Sequence, residues 1–276
     1  MCKVLKISRS CYYSWYSGGI SKRKQANQIL YAKIKEIFEM SMQTYGSPRI
    51  TAELKRQGYV ASQPRVAKLM HYNGLRSKVK RKYKATTNSN HNYTINKNLL
   101  NRKFKPKSMN KAWVSDITYI RTGQGWLFLT TVIDLFNRQI IGWALSKSLR
   151  TNKTIIPAWK MAISRRKISS KLIFHSDRGV QYASKNFRKL IKSNNLITQS
   201  MSRKGNCWDN AVAESFFKTL KTELIYHDEY KTIEQAKLAV FEYIEIWYNR
   251  KRLHSALGYK TPEELEKEFN QKQSVA

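Results

Sequence analysis

Three acidic side chains stand where an ordinary fold would not place a charge. Asp116 lies inside the apolar run "AWVSDITYI", Asp177 lies where "KLIFHSD" meets "RGV", and Glu214 lies in "DNAVAESFFKTL". A carboxylate within a buried strand is costly unless it is paired or binds a metal. Asp177 falls at the C-terminal end of a short strand, just before a glycine turn. At about 100° per residue, Ala213, Phe216, Phe217, Leu220 and Leu224 form the buried stripe of a helix, and Glu214 falls on its flank with Lys218 and Lys221. If the strands that carry the two aspartates are neighbours, the acids converge at one sheet edge and Glu214 closes the cluster. Hard oxygen donors with open positions suit Mg2+ or Mn2+. Two such ions, about 3.5 to 4 Å apart, activate the attacking oxygen and stabilise the leaving one in a phosphoryl displacement. The plainer reading makes Asp116 a partner of backbone groups, Asp177 a turn cap and Glu214 a helix ion pair with Lys218. Taken together with the charge of the chain, the three acids favour the metal reading.

That charge is +34 over 276 residues, from 52 Lys and Arg against 18 Asp and Glu. Each phosphate neutralised by a cation releases condensed counterions, so the expected partner is a polyanion, nucleic acid first and an anionic membrane second, with double-stranded DNA favoured by the helical module and basic linker described below. Residues 1–110 hold 24 basic and only 3 acidic side chains, so the first part grips phosphate and the second holds the acids that chemistry needs. No apolar run of membrane-spanning length and no continuous apolar signal segment occur, which predicts a cytoplasmic, nucleoid-associated protein that does not enter a membrane. Cys2, Cys11 and Cys207 have neither metal-like spacing nor an even count, and no nucleotide-binding Gly-Lys-Ser/Thr loop is present.

The elements that must position the acids can be read from periodicity. Residues 22–40 place Ile29, Leu30, Ile34, Ile37 and Phe38 at helical spacing. Two short helices follow, one capped by Ser47 with Pro48 and ended by Gly58, the next capped by Ser62 with Pro64 and ended by Gly74. Three helices with tight turns predict a small helix-turn-helix domain over 29–78, after an N-terminal segment, 1–28. Its last helix would present Gln63, Arg65 and Lys68 to the DNA major groove; a helical bundle with a solvated basic face is the alternative. Residues 79–109 are rich in Lys and Arg with no acid, and read as a basic linker. From Ala112, "AWVSDITYI", "GWLFLTTVIDLF" and "QIIGWALSKS" predict an antiparallel three-strand meander. A helix, the strand "KLIFHSD", a helix, the strand "LITQSMS" and a long helix from about Asp209 to Ile225 come next, making an α/β core with a mixed sheet over 110–230. A C-terminal helical segment, 231–276, closes the chain. His175 and Asn210 flank the acids and could orient them, contact DNA or serve structure. Trp113, Trp208, Trp247 and Tyr259 are expected in the core, and His254 in a packing or phosphate role.

The order "WVSDITYI", "FHSDRGVQYAS", "SMSRKGNCWDNAVAESFFKTLKTE" and "YNRKRLHSALGYKTPEE" resembles the DDE-type insertion-sequence transposases of the retroviral-integrase superfamily, in the group whose catalytic protein comes from a second open reading frame. The resemblance implies a ribonuclease-H-like fold with Asp116, Asp177 and Glu214 as the catalytic, metal-holding triad. It also implies that Lys221, seven residues beyond the glutamate, holds terminal phosphates; Lys218 and Arg178 are further candidate DNA contacts. The expected activity is metal-dependent strand cleavage and strand transfer at insertion-sequence ends, by a homo-oligomer on DNA and as a fusion with the upstream-frame protein. The spacing from Asp177 to Glu214 is one residue longer than the family's usual. A DNA-binding regulator without catalysis, and a nuclease acting on RNA–DNA hybrids, are the alternatives.

Overall fold

The computed structural model describes residues 1–18, 20–78 and 95–275, which fall into two compact units that divide after Lys78. In the first unit, α1 (Arg9–Tyr16) is capped by Ser8, whose hydroxyl accepts from the Cys11 N–H, and it buries no side chain. α2 spans Lys22–Met40 as its periodicity predicts and buries Leu30, Ile34, Ile37 and Phe38, while Ile29 points outward at 65% exposure. α3 (Ser47–Arg56) and α4 (Gln63–Tyr72) complete the trihelical unit with Ile50, Leu54, Val66 and Met70. Ser47 is already helical and Gly46 is the capping residue. Gly58 and Gly74 end these helices at positive φ, where glycine carries no Cβ penalty. Beyond them the Tyr59 and Leu75 N–H groups return to the carbonyls of Leu54 and Met70, the six-to-one closure of a Schellman turn.

The second unit is built on a five-stranded mixed sheet in the order β3-β2-β1-β4-β5. β1 (Ala112–Thr122), β2 (Gly125–Asp134) and β3 (Ile140–Ser146) form the expected meander. After α5 (Ile155–Arg165), β4 (Leu172–Ser176) pairs parallel with β1. The short α6 (Val180–Ala183) and α7 (Lys185–Lys192) lead to β5 (Ile197–Met201), parallel to β4. Trp113, Trp159, Phe174, Tyr182 and Phe187 pack edge-to-face or tilted in the core beneath this sheet. α5 lies so close to β3 that a Cβ added at Gly142 would stand 2.2 Å from the Ala158 carbonyl oxygen.

A 3-10 turn, Cys207–Asn210, opens α8 (Ala211–Leu220). The long helix predicted to Ile225 changes at Lys221 into a π turn, closed by Tyr226 N–H to the Lys221 carbonyl. In this turn Glu223 is buried and Leu224, expected in the buried stripe, only partly so. Glu223 takes two hydrogen bonds from Arg252 and one from the Tyr243 hydroxyl. α9 (Ile233–Phe241) continues into a second π segment, Glu242–Tyr248. Just past it, Asn249 pairs with both backbone groups of Ile140 at 3.0 Å, fastening the C-terminal segment to edge strand β3. α10 (Pro262–Val275) follows. Among the described residues no helix is long and apolar enough to cross a membrane.

The expected linker differs from the structure. Residues 79–94 lie outside the described residues, but residues 95–110 are strapped onto the second unit's sheet and loops. Asn96 donates to Gln199, the Leu99 and Leu100 N–H groups donate to the Ser200 hydroxyl, and Asn110 N–H donates to Asp134. Leu100 is buried. The strap is pinned again by Asp209, whose fully enclosed carboxylate accepts from Asn98 Nδ2 (2.8 Å), Arg102 Nε (2.9 Å) and the backbone and guanidinium of Arg203. Arg203, above all, holds the Asp209 carboxyl well below the usual carboxylate range.

Two outcomes follow. Gly142→Ala must push α5 off β3, and overpacking of this kind costs about 1–3 kcal/mol, measured as a lowered midpoint in chemical denaturation. Because the folded pKa of Asp209 is depressed, its contribution is present above the unfolded carboxylate value of about 4 and fades as pH falls below it. Asp209→Asn should lose about 1 kcal/mol at pH 7, the arginines being half exposed and screened, and should show a flatter stability curve below pH ~4.

Candidate active site

Strand register brings the two aspartates together. In the parallel β1–β4 pair Trp113 faces Phe174, Val114 faces His175 and Ser115 faces Ser176. Asp116 and Asp177 are the next residues on each chain, where the parallel pairing ends. Asp177 is turned by its own side chain, Oδ1 accepting from the Gly179 N–H at 2.9 Å. A Cβ at residue 179 would stand 3.0 Å from that oxygen, so glycine lets the backbone approach the carboxylate. Asp116 Oδ1 accepts from the Ile117 N–H at 2.8 Å. Glu214 comes from the first turn of α8, which is drawn to β1 by Asn210: its Nδ2 donates to the Ser115 carbonyl at 3.3 Å.

These groups influence one another electrostatically. Burial first, then the neighbouring Asp177, pushes the Asp116 carboxyl well above the usual range; the Ile117 N–H opposes the rise, Glu214 adds to it and Lys221 opposes it. Burial and Asp177 likewise raise Glu214. Burial lowers the Lys221 ammonium, and Asp116 partly restores it. Asp116 and Asp177 are half-buried and Glu214 is exposed, and mutual repulsion among like charges favours protons or cations near them. Beneath the pair, the buried Tyr182 hydroxyl meets Ser115 Oγ at 2.7 Å, and burial followed by Asp116 and Asp177 raises its pKa well above the ordinary value.

The donor set is all carboxylate oxygen, which suits a hard divalent cation. Among the described residues no three His, Cys, Asp or Glu side chains are close enough to hold a single ion together.

Other expected residues are placed differently. His175 is wholly buried, bridging Ser200 Oγ (2.9 Å) and Ser202 Oγ (3.2 Å), and burial lowers its pKa to about 4. It is a neutral cross-strand pin behind Asp177. Arg178 Nε donates to the Ser202 carbonyl at 2.6 Å. Gln63 and Lys68 are exposed on α4, but Arg65 is half-buried, turned back to donate twice to Asn27 Oδ1 on α2. The planar guanidinium suits that forked contact, so Arg65 ties two helices instead of pointing outward. Lys218 is exposed on α8. Trp113 and Trp247 are buried and Tyr259 half-buried, whereas Trp208 is exposed. His254 is buried with its ring edge-on to Tyr248. Sequence reasoning missed Asp209 and Tyr182. The one available signal for Asp209 was an acid set among basic residues just ahead of an apolar helix.

The chain matches an HTH-like domain over residues 24–83 and an integrase core domain twice, over 106–207 and 195–262. Transposase InsF for insertion sequence IS3A of Escherichia coli (strain K12) is 41% identical over 268 residues, covering 96% of this chain and 92% of the relative. An uncharacterized 31 kDa protein of insertion element IS600 from Shigella sonnei is 41% identical over 271 residues, covering 98% and 99%. Among solved structures, the HTLV-2 integrase catalytic core domain in complex with magnesium aligns with a TM-score of 0.42 at 19% identity, over 58% of this chain and 97% of that one. The full-length likeness at this identity settles the family: the chain belongs to the insertion-sequence transposases that include InsF of IS3, with an HTH-like domain followed by an integrase core.

Proposed function

We propose that this protein is a DNA transposase that cuts DNA strands at the ends of an insertion sequence and joins them to a target. What supports the reading is that Asp116 and Asp177 each follow the last pair of the parallel β1–β4 ladder and that Asp116 and Glu214 each feel Asp177, in a chain of net charge +34. Asp116, Asp177 and Glu214 would together hold the cations, two in number. Divalent cations such as Mg2+ or Mn2+, when bound there, supply charge that stabilises the attacking and leaving oxygens of a phosphodiester.

The chain's own residues do the rest. Asp177, held by the Gly179 N–H, and Asp116, held by the Ile117 N–H, would face the phosphodiester in a fixed orientation. Lys221, close enough to feel Asp116, would hold a non-bridging phosphate oxygen and orient the scissile bond. A water or a DNA 3′-hydroxyl forms the new P–O bond as the old one breaks. The nucleophile gives up its proton and the departing 3′-oxygen takes one up. One ester bond replaces another in joining, so no nucleotide is consumed. Gln63 and Lys68 on α4 would contact DNA in the first unit, with Arg65 shaping that surface through Asn27. Lys218 and Arg178 are further contacts proposed near the site. The working species would be a homo-oligomer on DNA, joined to the upstream-frame protein as a fusion, in the bacterial cytoplasm.

The test is cleavage and joining of a labelled duplex carrying the element end, with Mg2+ or Mn2+. Asp177→Asn and Glu214→Gln should bring both reactions below detection while DNA affinity stays within about twofold, since phosphate contacts rather than these acids supply affinity. Equal loss of binding in both variants would assign the acids a structural role.

A further inference from the structure

The loop from β5 to α8, residues 202–210, is fastened at both ends to the neighbours of the aspartates. At its start the Ser202 N–H donates to the Ser176 carbonyl at 2.9 Å and the Ser202 carbonyl accepts from Arg178 Nε at 2.6 Å, so Asp177 is flanked on both sides. At its end Asn210, 3% exposed, reaches the Ser115 carbonyl beside Asp116. In between, Asp209 is clamped by Arg102 and Arg203. Next to that clamp Trp208 leaves 68% of its surface exposed.

An indole has much to gain from burial, and Trp113, Phe174, Phe216 and Phe217, each within three residues of one of the acids, are buried, while Tyr119 is 36% exposed. A turn held by so many hydrogen bonds that still presents its indole outward is matched to a partner that comes and goes. Its surroundings name the chemistry: Arg203 and Arg102 are nearly half exposed, Lys204 is exposed, and the loop's single acid is already neutralised by the clamp. A flat apolar ring among cations fits a nucleobase joined to phosphates. Trp208 lies at most about 7 Å of extended backbone from Asn210, which itself touches the residue before Asp116.

We propose that Trp208 is a stacking platform for an unpaired DNA base beside the phosphate on which Asp116, Asp177 and Glu214 act; the role rests on the transposase reading above. A base held on the indole keeps the end of the duplex splayed, which lets the strand to be cut turn into the carboxylate site. Trp208 thereby selects an end that can open over one that stays paired.

The experiment measures binding in EDTA to a duplex copying the DNA boundary of this chain's own element. Parallel duplexes carry an abasic nucleotide placed in turn at each position flanking the terminal phosphodiester. Wild type should bind the complete duplex about tenfold more tightly than the abasic duplex at one of these positions, as expected for one stacked base. Trp208→Phe should keep most of that preference, and Trp208→Ala should bind both duplexes equally, at the level of wild type on the abasic one. Trp208→Leu, apolar but unable to stack, should behave like the alanine variant and guards against a fold defect, as do matched thermal midpoints. The proposal is overturned if Trp208→Ala keeps the preference or if wild type shows none at any position. Because the readout needs no metal, it is separate from the catalytic reading, which fails instead if wild type with Mg2+ never cuts the complete duplex.

Discussion

Everything in the second unit answers to one constraint: like charges must be held side by side against their repulsion. The parallel pairing of Ser115 with Ser176 leaves Asp116 and Asp177 no other place to go. Each carboxylate surrenders one oxygen to a backbone N–H, at Ile117 and Gly179. That contact favours the charged form while burial opposes it. The result is a site whose acids are strained toward accepting positive charge, set within a protein whose remaining surface draws polyanions.

Holding that arrangement takes hydrogen bonds between residues far apart in the chain. His175 ties β4 to Ser200 and Ser202, Asn210 ties α8 to β1, and Asp209 ties the strap 95–110 to the loop ahead of α8. On the other side Glu223 and Arg252, both almost fully enclosed, form an ion pair with Tyr243 as a further donor. Such a pair contributes little net stability but is costly to break, so it fixes how the π turn after Glu214 and Lys221 must run. Positioning of the site and stability of the fold are thus the same set of contacts.

Elements governed by local periodicity were legible in the sequence. α2 has the boundaries its apolar spacing predicts, the meander of β1, β2 and β3 follows from alternation and turn residues, and the convergence of Asp116 with Asp177 follows once β1 and β4 are neighbours. What was not legible depends on partners distant in sequence or on phase. The strap carries no period, and its anchors lie about a hundred residues away, as in the bond from Asn98 to Asp209. A π turn begins at Lys221, with Glu223 buried and Leu224 only partly so, and no rule of 3.6 residues per turn foretells it. Arg65 reads as an outward DNA contact until Asn27, on another helix, claims its guanidinium.

Whether the three carboxylates act as one electrostatic cluster suited to divalent cations is tested by the thermal midpoint of wild type and Asp116→Asn, each with and without Mn2+. Removing one charge should leave the metal-free protein at least as stable as wild type, since repulsion is relieved, and Mn2+ should raise the midpoint of wild type alone. A variant that is less stable without metal yet gains as much as wild type from Mn2+ would contradict it.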